Sequence, residues 1–148
     1  MGLFSSFDIN ASGLTAQRYR MDVVSENIAN VDTTRTADGT PYRRKIVTFQ
    51  EKGEGAHFSD ALSRATGTYK GKGVRVIGTF DDMQTDMKMA YDPAHPDADE
   101  NGYVTYPNVD MMTEMTNLIS ASRSYEANAT AFQASKGMAT KGLEMANG

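Results

Sequence analysis

Cysteine and tryptophan are both absent from this 148-residue chain, and proline occurs only four times. Without cysteine there is no disulfide, no thiolate nucleophile and no cysteine-based metal site, and the redox compartment stays open. The length suits one ordinary domain, but 39% hydrophobic content without tryptophan argues against a large compact core. No stretch is long and apolar enough to cross a bilayer, so direct membrane insertion is not expected. The start, Met1-Gly2-Leu3-Phe4-Ser5-Ser6, lacks the basic region and apolar run of a cleavable signal. Gly2 with Ser6 matches the myristoylation pattern, but that pattern is loose and operates only in eukaryotic cytosol. A chain of this kind that leaves the cytoplasm would do so on an uncleaved signal. The net charge of −4 argues against a general nucleic-acid binder. No internal repeat is visible.

What the chain does have is a long helical pattern at its C-terminal end. From Met111, positions four and three apart are Met111, Met115, Leu118, Ser122, Tyr125, Ala129, Phe132, Lys136, Ala139, Leu143 and Ala146. This is an unbroken heptad register in which only Ser122 and Lys136 are polar. No proline follows Pro107, and Ala, Met, Leu, Glu and Gln dominate. Asn108 is a candidate cap, with Asp110 in the first turn where the helix dipole favours an anion. A helix of about 36 residues is about 55 Å long, more than a small domain can surround. It therefore needs a partner outside the chain's own core. The ten methionines supply adaptable apolar side chains for such contacts.

An answering pattern lies at the other end. Phe7, Asn10, Leu14, Gln17, Met21, Val24, Ile28 and Val31 keep the same spacing, with Ser5, Ser6 or Asp8 as candidate caps and Asp32-Thr33-Thr34 as the end. Asn27 and Asn30 flank Ile28. Side-chain amides so placed belong either to the wet edge of an amphipathic helix or to register-setting contacts in an assembly. Between the helices, Thr36 to Pro41 is turn chemistry. Strands are expected over Tyr42–Gln50, with Val47 and Phe49 opposite Ile46, and over Val74–Phe80, with Val74, Val76 and Phe80 on one face. Met87, Met89 and Tyr91 alternate in a third, and Tyr103–Tyr106 forms a fourth. Glu51–Gly73 reads as a long loop with one helical turn around Ser59 to Ala65. The expected fold is α+β, in three segments. Residues 1–34 and 108–148 are helices paired as a coiled coil, and 35–107 is a small β-rich insert.

Patterns that invite chemistry do not hold together. Asp97-Ala98-Asp99-Glu100-Asn101-Gly102 copies the first half of a calcium loop, but the required bidentate Glu falls on Asn108, and Pro93 and Pro96 deny it a leading helix. The stretch reads as an Asx-rich turn. Arg43-Arg44-Lys45, with Arg35 nearby, is the one basic cluster. It reads first as charge protecting an edge strand and second as a contact for an acidic partner. Gly71-Lys72-Gly73 lacks the spacing of a phosphate loop. His57 and His95 have no metal-ligand spacing, and Asp81 and Asp82 make a poor acid/base pair. No active site, metal site or cofactor site is expected.

Ser25-Glu26-Asn27-Ile28-Ala29-Asn30, closing the first helix, resembles the N-terminal motif of the bacterial flagellar rod and hook proteins. The runs Tyr42-Arg43, Val47-Thr48-Phe49-Gln50, Asp92-Pro93, Gly102-Tyr103-Val104 and Pro107-Asn108-Val109-Asp110 are similar to a proximal-rod member of that family. So are Glu114-Met115 and Ser120 through Asn128. The resemblance covers nearly the whole chain, with Glu51–Gly73 unmatched. It implies a structural subunit and no catalysis: the terminal helices pair, pack against neighbours as the inner wall of a helical tube, and leave the β part outside. It implies export through the flagellar type III apparatus, a place in the basal-body rod across the periplasm, torque transmission to the hook, and a channel for later subunits. The partners it implies are other copies and other rod subunits, the inner-membrane ring and the export gate. Expected interface residues are Leu14, Met21, Val24, Asn27, Ile28, Asn30, Met115, Leu118, Tyr125, Phe132, Lys136 and Leu143. The alternative is a soluble coiled-coil adaptor that closes into a dimer or trimer.

Overall fold

The computed structural model describes residues 3–52, 58, 62, 65–67 and 71–147. Two helices stand at the ends of the chain, α1 over Leu3–Ala29 and α2 over Met111–Asn147. Between them lie β1 (Lys45–Glu51), β2 (Val74–Asp81), β3 (Lys88–Tyr91) and β4 (Tyr103–Tyr106). They form two separate two-stranded sheets, β1 with β2 and β3 with β4. The expected α+β class and order of elements are therefore present. The expected turn around Ser59 to Ala65 falls largely outside the described residues. Among the described residues no helix is long and apolar enough to cross a membrane.

Local chemistry closes α1 and opens α2, though not always at the expected residues. α1 is already running at Leu3, so Ser5, Ser6 and Asp8 lie inside it and not at an N-cap position. Its last turn closes at Asn30, whose backbone N–H reaches both Glu26 O and Asn27 O and whose side-chain amide also donates to Glu26 O at 2.9 Å. α2 is capped by Asp110, not Asn108. The Asp110 carboxylate accepts the Thr113 N–H at 3.0 Å and the Thr113 hydroxyl at 2.5 Å, while Asn108 is buried and used elsewhere.

β1 and β2 follow the expected alternation with one departure each, whereas β3 is exposed at all four of its residues. Lys45, Val47 and Phe49 of β1 are half-buried and Ile46 is exposed. However, the strand starts at Lys45 because the N–H of Tyr42 goes to Thr33 O and that of Arg44 to the Asn108 side chain. In β2 the alternation breaks at Gly78-Thr79, both half-buried, and leaves Phe80 55% exposed instead of inward with Val74 and Val76. β3 and β4 are antiparallel, pairing Lys88 with Tyr106 and Tyr91 with Tyr103. Their connection is the expected Asx turn. Asp99 Oδ1 accepts the N–H groups of Asn101 and Tyr103, each at 2.8 Å, and Gly102 takes φ +81°.

The chain divides into two compact units, and each helix contributes to both. One comprises Met1–Tyr19, Thr48–Gly78 and Ala121–Gly148. Within it, Phe7 and Phe132 meet edge to face with ring centroids 5.0 Å apart. Gly13 faces Asn128 so closely that a methyl at Gly13 would sit 2.8 Å from Asn128 Oδ1. Ser12 docks the start of β2 on α1, its hydroxyl donating to Ile9 O and accepting the Val74 N–H at 3.0 Å. Gly73, at φ +98°, makes room, since a Cβ there would fall 2.2 Å from Ser12 Oγ.

The other unit comprises Arg20–Val47 and Thr79–Ser120. Here Arg20 donates to Asn117 at 3.3 Å and Asn27 to Glu114 at 3.0 Å. In each unit the α1 partner numbers rise as the α2 numbers fall, so the two helices run antiparallel.

The buried line on α2 differs in phase from the apolar heptad. Glu114, Ala121 and Ser135 are buried, and Asn128 is half-buried between them. This seven-residue line lies one position before Met115, Ser122, Ala129 and Lys136. Its polar members are tolerated because each has a partner: Glu114 an arginine, Asn128 the Ser124 carbonyl, and Ser135 the Ala131 carbonyl.

Candidate functional site

The most elaborate constellation in the molecule is a polar cluster in the second unit. It joins the last turns of α1, the approach to β1, the end of β2 and the first turns of α2. Asn27 is its hub and is fully buried. Its carbonyl oxygen accepts the Tyr42 hydroxyl and the Lys45 N–H, both at 2.9 Å. Its amide nitrogen donates to Lys45 O at 2.9 Å and to Glu114 Oε2 at 3.0 Å. All four valences of the side chain are therefore used within the subunit.

Glu114 is the next member and is also fully buried. Its Oε1 accepts the Arg44 Nε and NH2 at 2.8 Å each, a two-pronged contact that suits a planar guanidinium. Arg44 also leans toward Asp82, with NH1 at 3.5 Å from Oδ2. Asp82 caps its own turn by accepting the Gln84 and Thr85 N–H groups and the Thr85 hydroxyl. Those Thr85 bonds, ahead of the others, hold its carboxyl below the usual range. Asn108 completes the cluster. It accepts the Arg44 N–H at 2.8 Å and donates to Asp82 O and Thr85 O at 2.9 and 3.1 Å.

Burial is the main force on Tyr42, and with the carboxylates of Glu26, Asp81 and Glu114 nearby it pushes the phenol well above its usual value. The phenol therefore stays a hydrogen-bond donor to Asn27 throughout the neutral range. Lys45 closes the outer side through an ion pair with Glu26 and a position 5.7 Å from the Tyr42 ring centre.

This arrangement ties the end of α1, the approach to β1, the end of β2 and the start of α2 together. The Glu114 carboxylate is occupied by Arg44 and Asn27, and that of Asp82 by Gln84, Thr85 and Arg44. Among the described residues no group of His, Asp or Glu is placed to hold a metal ion. Contrary to the expectation from sequence, the charges of the basic cluster are spent within the chain. Arg44 is neither edge-strand protection nor a contact for an outside acid, because its acidic partners are Glu114 and Asp82 of the same chain. In the abandoned calcium loop, Asp97 is held by Arg35 at 2.6 Å and Thr34 at 2.8 Å.

The residues expected at an interface are distributed unevenly. Asn27 belongs to the polar cluster, and Val24 is buried. Leu14, Met21, Ile28, Leu118 and Phe132 are half-buried, while Asn30 is tied to Glu26 and Thr33. Met115, Tyr125, Lys136 and Leu143 are exposed. Glu114, Arg44, Tyr42, Asp82 and Asn108 were not expected as one site, since they lie far apart in sequence and no single motif joins them. The available signal was a buried phase carrying an acid: Glu114 stands seven residues before Ala121, on the line that continues through Asn128 and Ser135.

Comparison with known proteins places both ends of the chain. Residues 7–35 match the family model "Flagella basal body rod protein". Residues 100–145 match "Flagellar basal body rod FlgEFG protein C-terminal". The flagellar basal-body rod protein FlgC of Bacillus subtilis strain 168 is 50% identical, over 98% of this chain and 99% of its own. FlgC of Borreliella burgdorferi is 46% identical over the whole of both chains. FlgC of Salmonella typhimurium strain LT2 is 42% identical over 98% of each.

Proposed function

This chain belongs to the FlgC family of flagellar basal-body rod proteins, and on that premise we propose that it is a structural, non-catalytic subunit of the proximal rod. In this reading its terminal helices pair and pack against neighbouring subunits as the wall of a helical tube. The tube encloses the export channel, crosses the periplasm, and carries torque from the inner-membrane ring to the hook. The subunit reaches its place through the flagellar type III apparatus on an uncleaved signal. Its partners are further copies, other rod subunits, and the ring and export-gate components.

The observation that carries the reading is the full-length similarity to FlgC proteins, with family matches at both helical ends. Exposed apolar side chains support it: Met138, Leu143 and Met145 of α2 are 65%, 66% and 84% exposed, a cost that neighbouring subunits would remove. The buried carbonyl oxygen of Gln17, which has no hydrogen-bond partner, supports it as well.

The test is complementation of a strain lacking this gene, followed by electron microscopy of its basal bodies. Rods and hooks should be missing from the deletion strain and restored by the intact gene. Complete rods in the deletion strain, or a purified chain that forms only small closed oligomers, would overturn the reading.

A further inference from the structure

We propose that Asn101–Gly102 is a latent self-modification site, a deamidation site that the folded β3–β4 turn holds shut. An asparagine followed by glycine is the pair most open to succinimide formation, because glycine puts no side chain in the way of the ring. In the reaction the Gly102 backbone nitrogen attacks Asn101 Cγ, the Cγ–Nδ2 bond breaks, and ammonia leaves after the nitrogen has given up its proton. Water then opens the succinimide, at one carbonyl to aspartate and at the other to isoaspartate, whose backbone is one carbon longer.

Asn101 is exposed, so water and base reach its side chain. Its partner atom is the one withheld. Gly102 is buried, and its N–H donates to Asp99 O at 3.0 Å. That bond keeps the proton on the nitrogen that must lose it. The two N–H groups held by Asp99 Oδ1, those of Asn101 and Tyr103, fix the backbone on either side. Gly102 is also clamped from outside, where a Cβ would lie 3.0 Å from the Tyr91 ring and 3.1 Å from Pro93 Cβ. The nitrogen therefore cannot swing toward Asn101 Cγ unless the turn opens. The reaction runs from the open turn only, and its rate follows the population of that state. The protection vanishes whenever the chain is unfolded. An isoaspartate formed there lengthens the backbone between the two N–H groups that Asp99 Oδ1 holds, so the reacted chain cannot keep both bonds of the β3–β4 connection.

The experiment incubates the full-length chain in mildly alkaline buffer with and without denaturant, and follows isoaspartate and aspartate at position 101 by peptide mapping. Mapping keeps this site separate from the other Asn-Gly pair, Asn147–Gly148. Deamidation at Asn101 should be at least about tenfold slower in the native chain than in the unfolded one. Asp99→Ala, which releases the two bonds to Asp99 Oδ1 and leaves those to the backbone, should raise the native rate severalfold while circular dichroism still reports folded helices. Equal rates in the native and unfolded chains would overturn the proposal, as would an unchanged native rate in Asp99→Ala.

Discussion

Asn27 and Glu114 hold adjoining elements together, Asn27 with all four side-chain valences used and Glu114 with both oxygens engaged. Removing one member of a buried ion pair strands the other, so Arg44→Met should destabilise the chain by about 3–5 kcal/mol. Glu114→Leu should do the same, for the same reason and because it also frees the Asn27 amide. The double variant should cost clearly less than the sum of the two, since no buried charge is then left alone. Urea unfolding of the three variants measures this, and additive losses would show that Arg44 and Glu114 are not a coupled pair. Gln17 makes the opposite case. Gln17→Leu should leave monomer stability unchanged or raise it, while reducing complementation of motility, if a neighbour satisfies that carbonyl. The pH response of the cluster has two limits. Tyr42, raised by folding, contributes stability that is complete below its ordinary pKa of 10.0 and is lost as pH rises through the higher folded value. Asp82 is lowered, so its contribution is present above 3.8 and is lost as pH falls through the depressed value. Absorbance titration should find one tyrosine ionising last, together with unfolding, and Tyr42→Phe should abolish that step.

At the scale of elements, helices and strands were legible where period and capping act locally. The spacing of Phe7 through Ile28 and the alternation of Val47 and Phe49 announce their elements without help from the rest of the chain. The phase of α2 was not legible by the same means. Counting apolar residues selects the register of Met115 and Ala129, but burial selects that of Glu114 and Ser135, because a polar group with a partner can occupy the inner face. Asn108 was misread for a related reason. It has the right chemistry for a cap, but its carbonyl and amide serve Arg44, Asp82 and Thr85, and Asp110 takes the capping role. Asp110→Ala should therefore cost about 0.5–2 kcal/mol, whereas Asn108→Ala should cost more through the groups it leaves unsatisfied. Thermal melts of the two variants compare them, and a larger loss at Asp110 would contradict this assignment. Gly13→Ala should disturb the α1–α2 contact in its unit, since the added methyl meets Asn128 at 2.8 Å.

At the scale of the whole molecule, order within the chain is uneven. The second unit ties both helices to strands through polar bonds that are complete within one subunit. Toward its C-terminal end α2 carries Met138, Leu143 and Met145 largely in solvent. Ordering backbone costs about 1–2 kcal/mol per residue, and that end buries little to offset it. In the proposed rod, neighbouring subunits would supply the missing burial, and assembly and the full ordering of the terminal helices would then form one coupled event. Hydrogen exchange on dilute, demonstrably monomeric protein tests this most directly. The account predicts slow exchange through the helix segments around Asn27 and Glu114, and fast exchange over the last turns of α2 from Met138 onward. Uniformly slow exchange along the whole of α2 in the monomer would contradict it, because the helix would then need no neighbour to be stable.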